Sequence, residues 1–281
     1  MGHDNWFIEE FEGQVGGLSF KIDEVLFDET SPFQSVKVIR NSFFGNVMLL
    51  DNLVMLTEKD EFYYHDMLVH VPLLCAENPC DVLIIGGGDG GSVREALKHE
   101  CVDRVVLCEI DKMVIDAARE FFPSLATCLD DERVEVMVAD GIEYVGAHKN
   151  EFDTICIDST DPVGPAVGLF TPEFYGNVRE ALTLSGTMSA QTESPAWSLN
   201  QVAKIASKIR QGFGNAHVYT APSPCYPSGM WSFVLGIKGD KDPVNDFDTK
   251  RAEIISGQCR YYNADIHKAA FCLPNFMREA L

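Results

Sequence analysis

Basic residues are scarce in this chain. Lys and Arg number 22 against 43 Asp and Glu, a net charge of −21, and that excess repels the phosphates of nucleic acids and of anionic membranes. It draws small cations towards any acidic cleft. Paired cysteine motifs are missing too: the nine Cys include no C-x-x-C, and several fall inside apolar strand-like runs as buried free thiols. The seven His are dispersed, and no spacing suggests a metal. No apolar run approaches the roughly 18 residues of a membrane span. The opening MGHDNWFIEEFEG has neither the basic nor the apolar part of a signal peptide, and Trp6 stands where a myristoylation signal needs Ser or Thr, so a cytoplasmic protein is expected. There is no internal repeat and no low-complexity tract.

What is present suffices for one large α/β domain with an appendage, since 46% of the 281 residues are hydrophobic. From Gly13 to about Asp60, short β-rich runs broken by turn residues predict a small antiparallel module. DEFYYHDMLVHVPLL carries Phe62, His65, Asp66, Val69 and Leu73 at helical spacing. A helix is therefore predicted to begin near Asp60 and to bend or end near Pro72. From Asp81 apolar strands alternate with amphipathic helices: VLIIGG, GSVREALKH, RVVLCEID, KMVIDAAREFF, VEVMVAD, DTICIDS. Continuous apolar runs mark strands buried on both faces, and the prediction is α/β, a doubly wound, mostly parallel sheet. AHVYTAPS and WSFVLGIKG close the pattern as an antiparallel hairpin. The expected division is a β-strand module over 1–60 and a Rossmann-like catalytic domain over 61–281.

In such a sheet ligands sit at the carboxyl ends of the strands. Acids follow four successive strands: Asp89, then Glu109 and Asp111, then Asp140, then Asp158 and Asp161. Each taken alone has a plainer use. Asp89 could cap a helix, and Asp140 before Gly141 could be a turn acid or a partner for an adenine amino group. Glu109 lies about 20 residues past the glycine turn, where an acid grips a ribose diol. Asp158 and Asp161 flank a loop stiffened by Pro162 and Pro165. Gly86, Gly88 and Gly91 match the G-x-G-x-x-G of dinucleotide sites, but Asp89 inside the turn argues against a pyrophosphate. A carboxylate about 4 Å from a phosphate oxygen costs roughly 4 kcal/mol at an effective dielectric of 20. A cationic nucleoside, an S-adenosyl sulfonium, gains from the same residue.

With these residues assembled, the chain resembles the polyamine aminopropyltransferases, and among them bacterial-type spermidine synthases. The likeness runs through YYHDMLVHVPL, LIIGGGDGG, VVLCEID, VADGIEYV, ICIDSTDPVGPAVGLFTPEFY, QTESPAW, YPSGMWSFVLG and YYNADIHKAAFCLPNF. Thr160 and Phe33 stand where Ser and Tyr are more usual. The resemblance implies transfer of an aminopropyl group from decarboxylated S-adenosylmethionine, a co-substrate and not a resident cofactor, to putrescine. Spermidine and 5′-methylthioadenosine are the products. It places the nucleoside on Gln34, Glu109, Asp140, Gly141 and Pro165, and the amine on Tyr64, His65, Asp89, Asp158, Ser159, Thr160, Asp161, Gln191 and Tyr226. Without it, His65 reads as a packing histidine, Tyr226 as a turn residue and Gln191 as a strand end. Asp158 is the expected general base, with Tyr64 orienting the amine. The 162–170 loop is the expected lid, and a homodimer or homotetramer the expected assembly. The rival readings are another acceptor amine, a methyltransferase on the same sheet, and a nucleoside-binding subunit without catalysis.

Overall fold

A computed structural model describes residues 5–11, 16–161 and 164–281, with the side chains of 164 and 165 outside that description. The chain opens on β1 (Trp6–Glu10), which precedes the first β-run read from the sequence and pairs antiparallel with β2 (Gly17–Lys21). A four-stranded antiparallel meander follows: β3 (Glu24–Thr30), β4 (Ser35–Asn41), β5 (Gly45–Leu50) and β6 (Leu53–Thr57). One face of β4 and β5 buries Ile39, Val47 and Leu49 beside Phe7 and Phe20. Their other face, Val36, Val38, Met48 and Leu50, runs into the main core of the molecule.

The helix α1 (Glu61–Cys75) is buried along almost its whole length and ends three residues past Pro72, near the position expected from the sequence. Proline there removes the N–H that would bond the carbonyl of Leu68. That carbonyl is satisfied from the sheet instead, by the Ser189 hydroxyl at 2.6 Å with the Cys156 thiol at 3.8 Å. Two more hydroxyls hold the neighbouring turns, Tyr219 donating to the Met67 carbonyl at 3.1 Å and Thr187 to that of Pro72 at 3.0 Å.

Then comes the alternation: β7 (Asp81–Gly86), α2 (Gly91–Leu97), β8 (Arg104–Glu109), α3 (Lys112–Phe121), α4 (Pro123–Ala126), β9 (Val134–Val138), α5 (Gly141–Ala147) and β10 (Phe152–Asp158). A 3-10 turn, Gly164–Phe170, leads into α6 (Pro172–Ala181), β11 (Leu182–Gln191), α7 (Leu199–Phe213), β12 (His217–Pro222) and β13 (Met230–Ile237). The chain ends on α8 (Thr249–Ser256), α9 (Ala264–Ala270) and α10 (Asn275–Arg278).

The seven strands are ordered β12-β13-β11-β10-β7-β8-β9, parallel from β11 to β9, with β13 antiparallel to both its neighbours. Alternate residues face opposite ways. Val82, Ile84, Val105 and Leu107 pack with α1, α2 and α3. Leu83, Ile85, Val106 and Ile157 pack with α5, α6 and α7. Strand order reverses between β7 and β10, where Gly86 lies in register with Asp158, and there a ligand crevice opens.

The Leu68 carbonyl gives a stability prediction. Ser189→Ala is expected to lower the urea midpoint with an unchanged slope, by a loss of about 1–3 kcal/mol for an unsatisfied buried acceptor; a midpoint equal to wild type would show that Ser189 does no such work.

Candidate active site

The glycine turn after β7 is shaped by the side chains pressed against it. Gly86 has φ +79°, and a Cβ there would fall 2.1 Å from the Asp158 carbonyl oxygen. At Gly91 a Cβ would fall 2.3 Å from the His65 ring, at Gly87 2.7 Å from the Asp158 carboxyl, and at Gly88 2.9 Å from the Glu109 side chain. The amides that bind phosphate in dinucleotide folds are taken here. Gly88 N–H donates to Glu109 Oε2 at 3.2 Å, and Gly91 N–H donates to Asp89 Oδ1 at 2.7 Å. Asp89 stands one residue before the N-cap, Gly90, yet its carboxylate takes the first amide of α2.

Around this turn a cleft holds about 1010 Å³ of free space, solvent at its mouth included, and Asp89, Glu109, Asp140 and Asp158 all line it. Asp111 is not in its wall. It caps α3 by accepting from Met113 N–H, and its other oxygen takes Ser31 Oγ at 2.7 Å and Gln34 Nε2 at 3.1 Å. Asp140 caps α5 through Ile142 N–H while still facing the cleft. Gln34 and Gly141 also line it, among the apolar groups Ile110, Ile142 and Leu169. The Pro165 side chain is outside the described residues.

Burial pushes Glu109 up to about 7, helped by the charges of Asp111 and Asp89 and opposed by the amides of Asp111 and Gly88. Asp158 is also raised, by burial and by Asp89, against the pull of His65, Ser92 and Tyr64. Its two oxygens are clamped, Oδ1 accepting from Tyr64 Oη at 2.8 Å and Oδ2 from Ser92 Oγ at 2.6 Å. His65 lies between two acids, Nδ1 at 2.8 Å from Glu61 and Nε2 at 3.4 Å from Asp89. Burial alone would lower its pKa, but Asp89, Glu61 and Asp158 prevail and lift it to about 9, so it is an imidazolium at neutral pH. Arg94 grips Glu61 with two nitrogens, at 3.0 and 2.8 Å.

A second cavity, of about 450 Å³, meets the first. Tyr64, Met55, Ser159, Thr160 and Tyr226 line both, and Asp161, Gln191, Glu193, Trp231 and Glu9 line the second alone. Gln191 holds the loop by donating to the Ser159 carbonyl at 3.0 Å, while its oxygen accepts from Trp231 Nε1 at 3.2 Å. The Tyr226 hydroxyl donates to the Met55 carbonyl. Burial raises both Glu9 and Asp161, and Glu9 feels the Asp161 charge as well. Every residue that the resemblance assigned to the nucleoside or the amine, Pro165 apart, thus borders one or both cavities, whereas Asp111 borders neither.

Sequence reading missed Glu9, Glu61, Ser92, Glu193 and Trp231. Glu61 was within reach, since it precedes His65 by one helical turn. Glu9 was not, because β1 was not recognised and its distance in sequence from Asp161 hides the meeting.

Residues 61–249 match the spermine/spermidine synthase domain, and residues 5–58 match the spermidine synthase tetramerisation domain. A polyamine aminopropyltransferase of Thermoanaerobacter sp. (strain X514) is 45% identical over 275 residues, 98% of this chain and 97% of that protein. One from Thermotoga neapolitana is 43% identical over 277 residues, 98% of this chain and 93% of its own. Among solved structures, a spermidine synthase in complex with the transition-state analogue AdoDATO superposes with a TM-score of 0.96 at 43% identity, covering 100% of this chain and 96% of that one. The spermidine synthase of Thermotoga maritima superposes with a TM-score of 0.94 at 43% identity, covering 98% and 94%. The chain belongs to the spermine/spermidine synthase family and is an aminopropyl-transferring enzyme of polyamine synthesis.

Proposed function

We propose that the enzyme moves the aminopropyl group of decarboxylated S-adenosylmethionine to putrescine, with Asp158 as the general base. The observation that carries this reading is the junction of the two cavities, where Tyr64 borders both and donates to Asp158. The nucleoside occupies the larger cleft, its ribose diol on Glu109 and its adenine amino group beside Asp140, within the apolar walls around Ile110 and Ile142. Asp89 holds the ammonium of the aminopropyl tail. Putrescine lies in the second cavity, its far ammonium among Glu9, Asp161 and Glu193.

The near ammonium gives its proton to Asp158. The freed amine attacks the methylene carbon beside the sulfonium, a C–N bond forms, and the C–S bond breaks with its electron pair going to sulfur. The departing thioether is neutral and needs no acid. Burial and the Asp89 charge raise Asp158 towards the amine, which makes it a better base than an exposed aspartate. Alignment of nitrogen, carbon and sulfur between the cavities supplies a further share of the rate. Residues 1–60 serve as the assembly module of a dimer or tetramer and 61–281 as the catalytic unit, though Glu9, Gln34 and Met55 from the first part complete the cavities of the second.

A product assay with the decarboxylated donor against a panel of diamines is expected to give spermidine from putrescine, and Asp158→Asn is expected to cut kcat about 10²–10⁴-fold. Full activity in that variant would remove Asp158 from the proton transfer, and preference for another diamine would displace putrescine.

Asp89 also faces the position where ordinary S-adenosylmethionine carries its carboxylate, so selection rests on repulsion as well as attraction. Asp89→Asn is expected to reduce the preference for the decarboxylated nucleoside, measured as a ratio of dissociation constants, by at least about tenfold, or about 1.4 kcal/mol. An unchanged ratio would mean that the discrimination lies elsewhere.

Glu109 gives a pH dependence. Its pKa is raised to about 7, so below that pH the carboxyl is neutral and a poorer acceptor for two ribose hydroxyls. The KM for the donor is expected to fall as pH rises through about 7, and Glu109→Gln is expected to flatten that limb while raising KM overall. A wild-type profile without the inflexion would place the ribose on another group.

A further inference from the structure

Among the described residues two groups of His, Cys, Asp and Glu bring possible ligand atoms together. His65, Asp89 and Asp158 form the first, within the cleft already described. The second lies outside both cavities and no step of the proposed reaction uses it. Asp66 and His70 are one turn apart on α1, Glu95 is on α2, and Cys259 follows α8, with all four ligand atoms within 4.8 Å of one another. Asp66, His70 and Glu95 are wholly buried, and Cys259 is half-buried.

From these positions the geometry points to a structural zinc(II) site made by Asp66, His70, Glu95 and Cys259, which pins α1 and α2 to the C-terminal segment.

Three of the donors already converge. His70 Nε2 is 3.0 Å from Glu95 Oε2 and 3.1 Å from Cys259 Sγ. Bonds of about 2.0–2.3 Å around a tetrahedral zinc put neighbouring donors roughly 3.3–3.8 Å apart, so small outward shifts admit the ion. Asp66 supplies the independent sign. Its Oδ2 accepts from the N–H groups of Tyr261 and Tyr262 at 2.9 and 3.0 Å, whereas Oδ1 is buried with no hydrogen-bond partner. An orphaned carboxylate oxygen beside a second carboxylate, a thiol and an imidazole is costly without a cation to take it.

The surroundings fit a bound metal as well. A ligating histidine is usually steadied through its other nitrogen, and His70 Nδ1 meets His99 Nε2 at 2.9 Å. Arg94 Nε donates to Glu95 Oε1 at 2.7 Å, while the Lys98 ammonium on Oε2 must share that oxygen with the ion or yield it. The ligands Asp66, Glu95 and a Cys259 thiolate bring three negative charges against the two of zinc, while Glu61 is shared between Arg94 and His65. The thiol proton leaves to solvent on binding. A mixed N, O and S donor set suits zinc and excludes magnesium and calcium, and four protein ligands leave no open position for catalysis. The ligands come from three separate elements, which is why no spacing in the sequence betrays them.

The test uses the full chain, stripped with a chelator, incubated with zinc(II) or cobalt(II) and passed through a desalting column. Wild type is expected to retain one zinc per chain, not displaced by saturating substrates, and its cobalt form to show a thiolate-to-cobalt charge-transfer band with tetrahedral d–d absorption. Cys259→Ser, with aminopropyl transfer kept as proof of folding, is expected to lose the band and weaken zinc binding by about 100-fold or more. Asp158→Asn is expected to keep both. Failure of wild type to retain zinc, or an identical cobalt spectrum in Cys259→Ser, would overturn the proposal and leave a hydrogen-bonded ion network alone.

Discussion

Everything at this site depends on carboxylates occupying the backbone donors of a glycine turn. In a dinucleotide fold the amides after the first strand point at phosphate, and the helix dipole adds to the attraction. Here Glu109 takes the Gly88 amide and Asp89 takes that of Gly91. The same backbone is thereby converted from an anion cradle into a negatively lined wall. The glycines are required for a different reason than in the phosphate-binding version. They leave room for Asp158, Glu109 and His65, whose atoms stand where a Cβ would be.

That wall works only if α1 is held still, because α1 delivers both Tyr64 and His65. Its stability does not come from an amphipathic surface, since nearly every side chain on it is buried. It comes from burial of its apolar side chains on all sides, with hydroxyls on the sheet satisfying carbonyls along it. Pro72 exposes the Leu68 carbonyl, and β11 answers with Ser189. A proline that reads in sequence as a bend or an end becomes a docking point, and the helix continues to Cys75. The same helix carries Asp66, whose contact with the Tyr261 and Tyr262 amides fastens the C-terminal segment.

The alternating strands and helices were legible in the sequence because parallel strands buried on both faces leave continuous apolar runs, and VLIIGG and RVVLCEID are of that kind. The acids were legible because each directly follows a strand, and strand ends converge on one rim. Asp111 shows the limit of that rule: it follows the same strand as Glu109, yet caps α3 and turns towards Ser31 and Gln34. β1 was illegible because a five-residue edge strand with Glu9 buried in it carries no pattern of its own. The rescue of the Leu68 carbonyl opposite Pro72 was illegible because its donor, Ser189, lies 121 residues away.

The electrostatics of the cleft set stability against function. Glu109 has its pKa raised to about 7 in the folded chain, above the ordinary value of 4.5. For such an acid the folded state binds protons more tightly, so its favourable contribution is complete below about 4.5 and is lost as pH rises through about 7. Ionising Glu109 in the cleft therefore costs stability, and Asp158, raised by burial and by the Asp89 charge, adds to that cost when it ionises. His65 follows the same sign in a higher window. Raised from 6.5 to about 9, it stabilises fully below 6.5 and loses that effect only as pH rises through about 9. One fixed cation, tied through Glu61 to Arg94, thus offsets part of the repulsion among the acids. In the proposed reaction a sulfonium and a protonated amine bring further positive charge, so the repulsion among the acids is lowered by the ligands that the cleft selects.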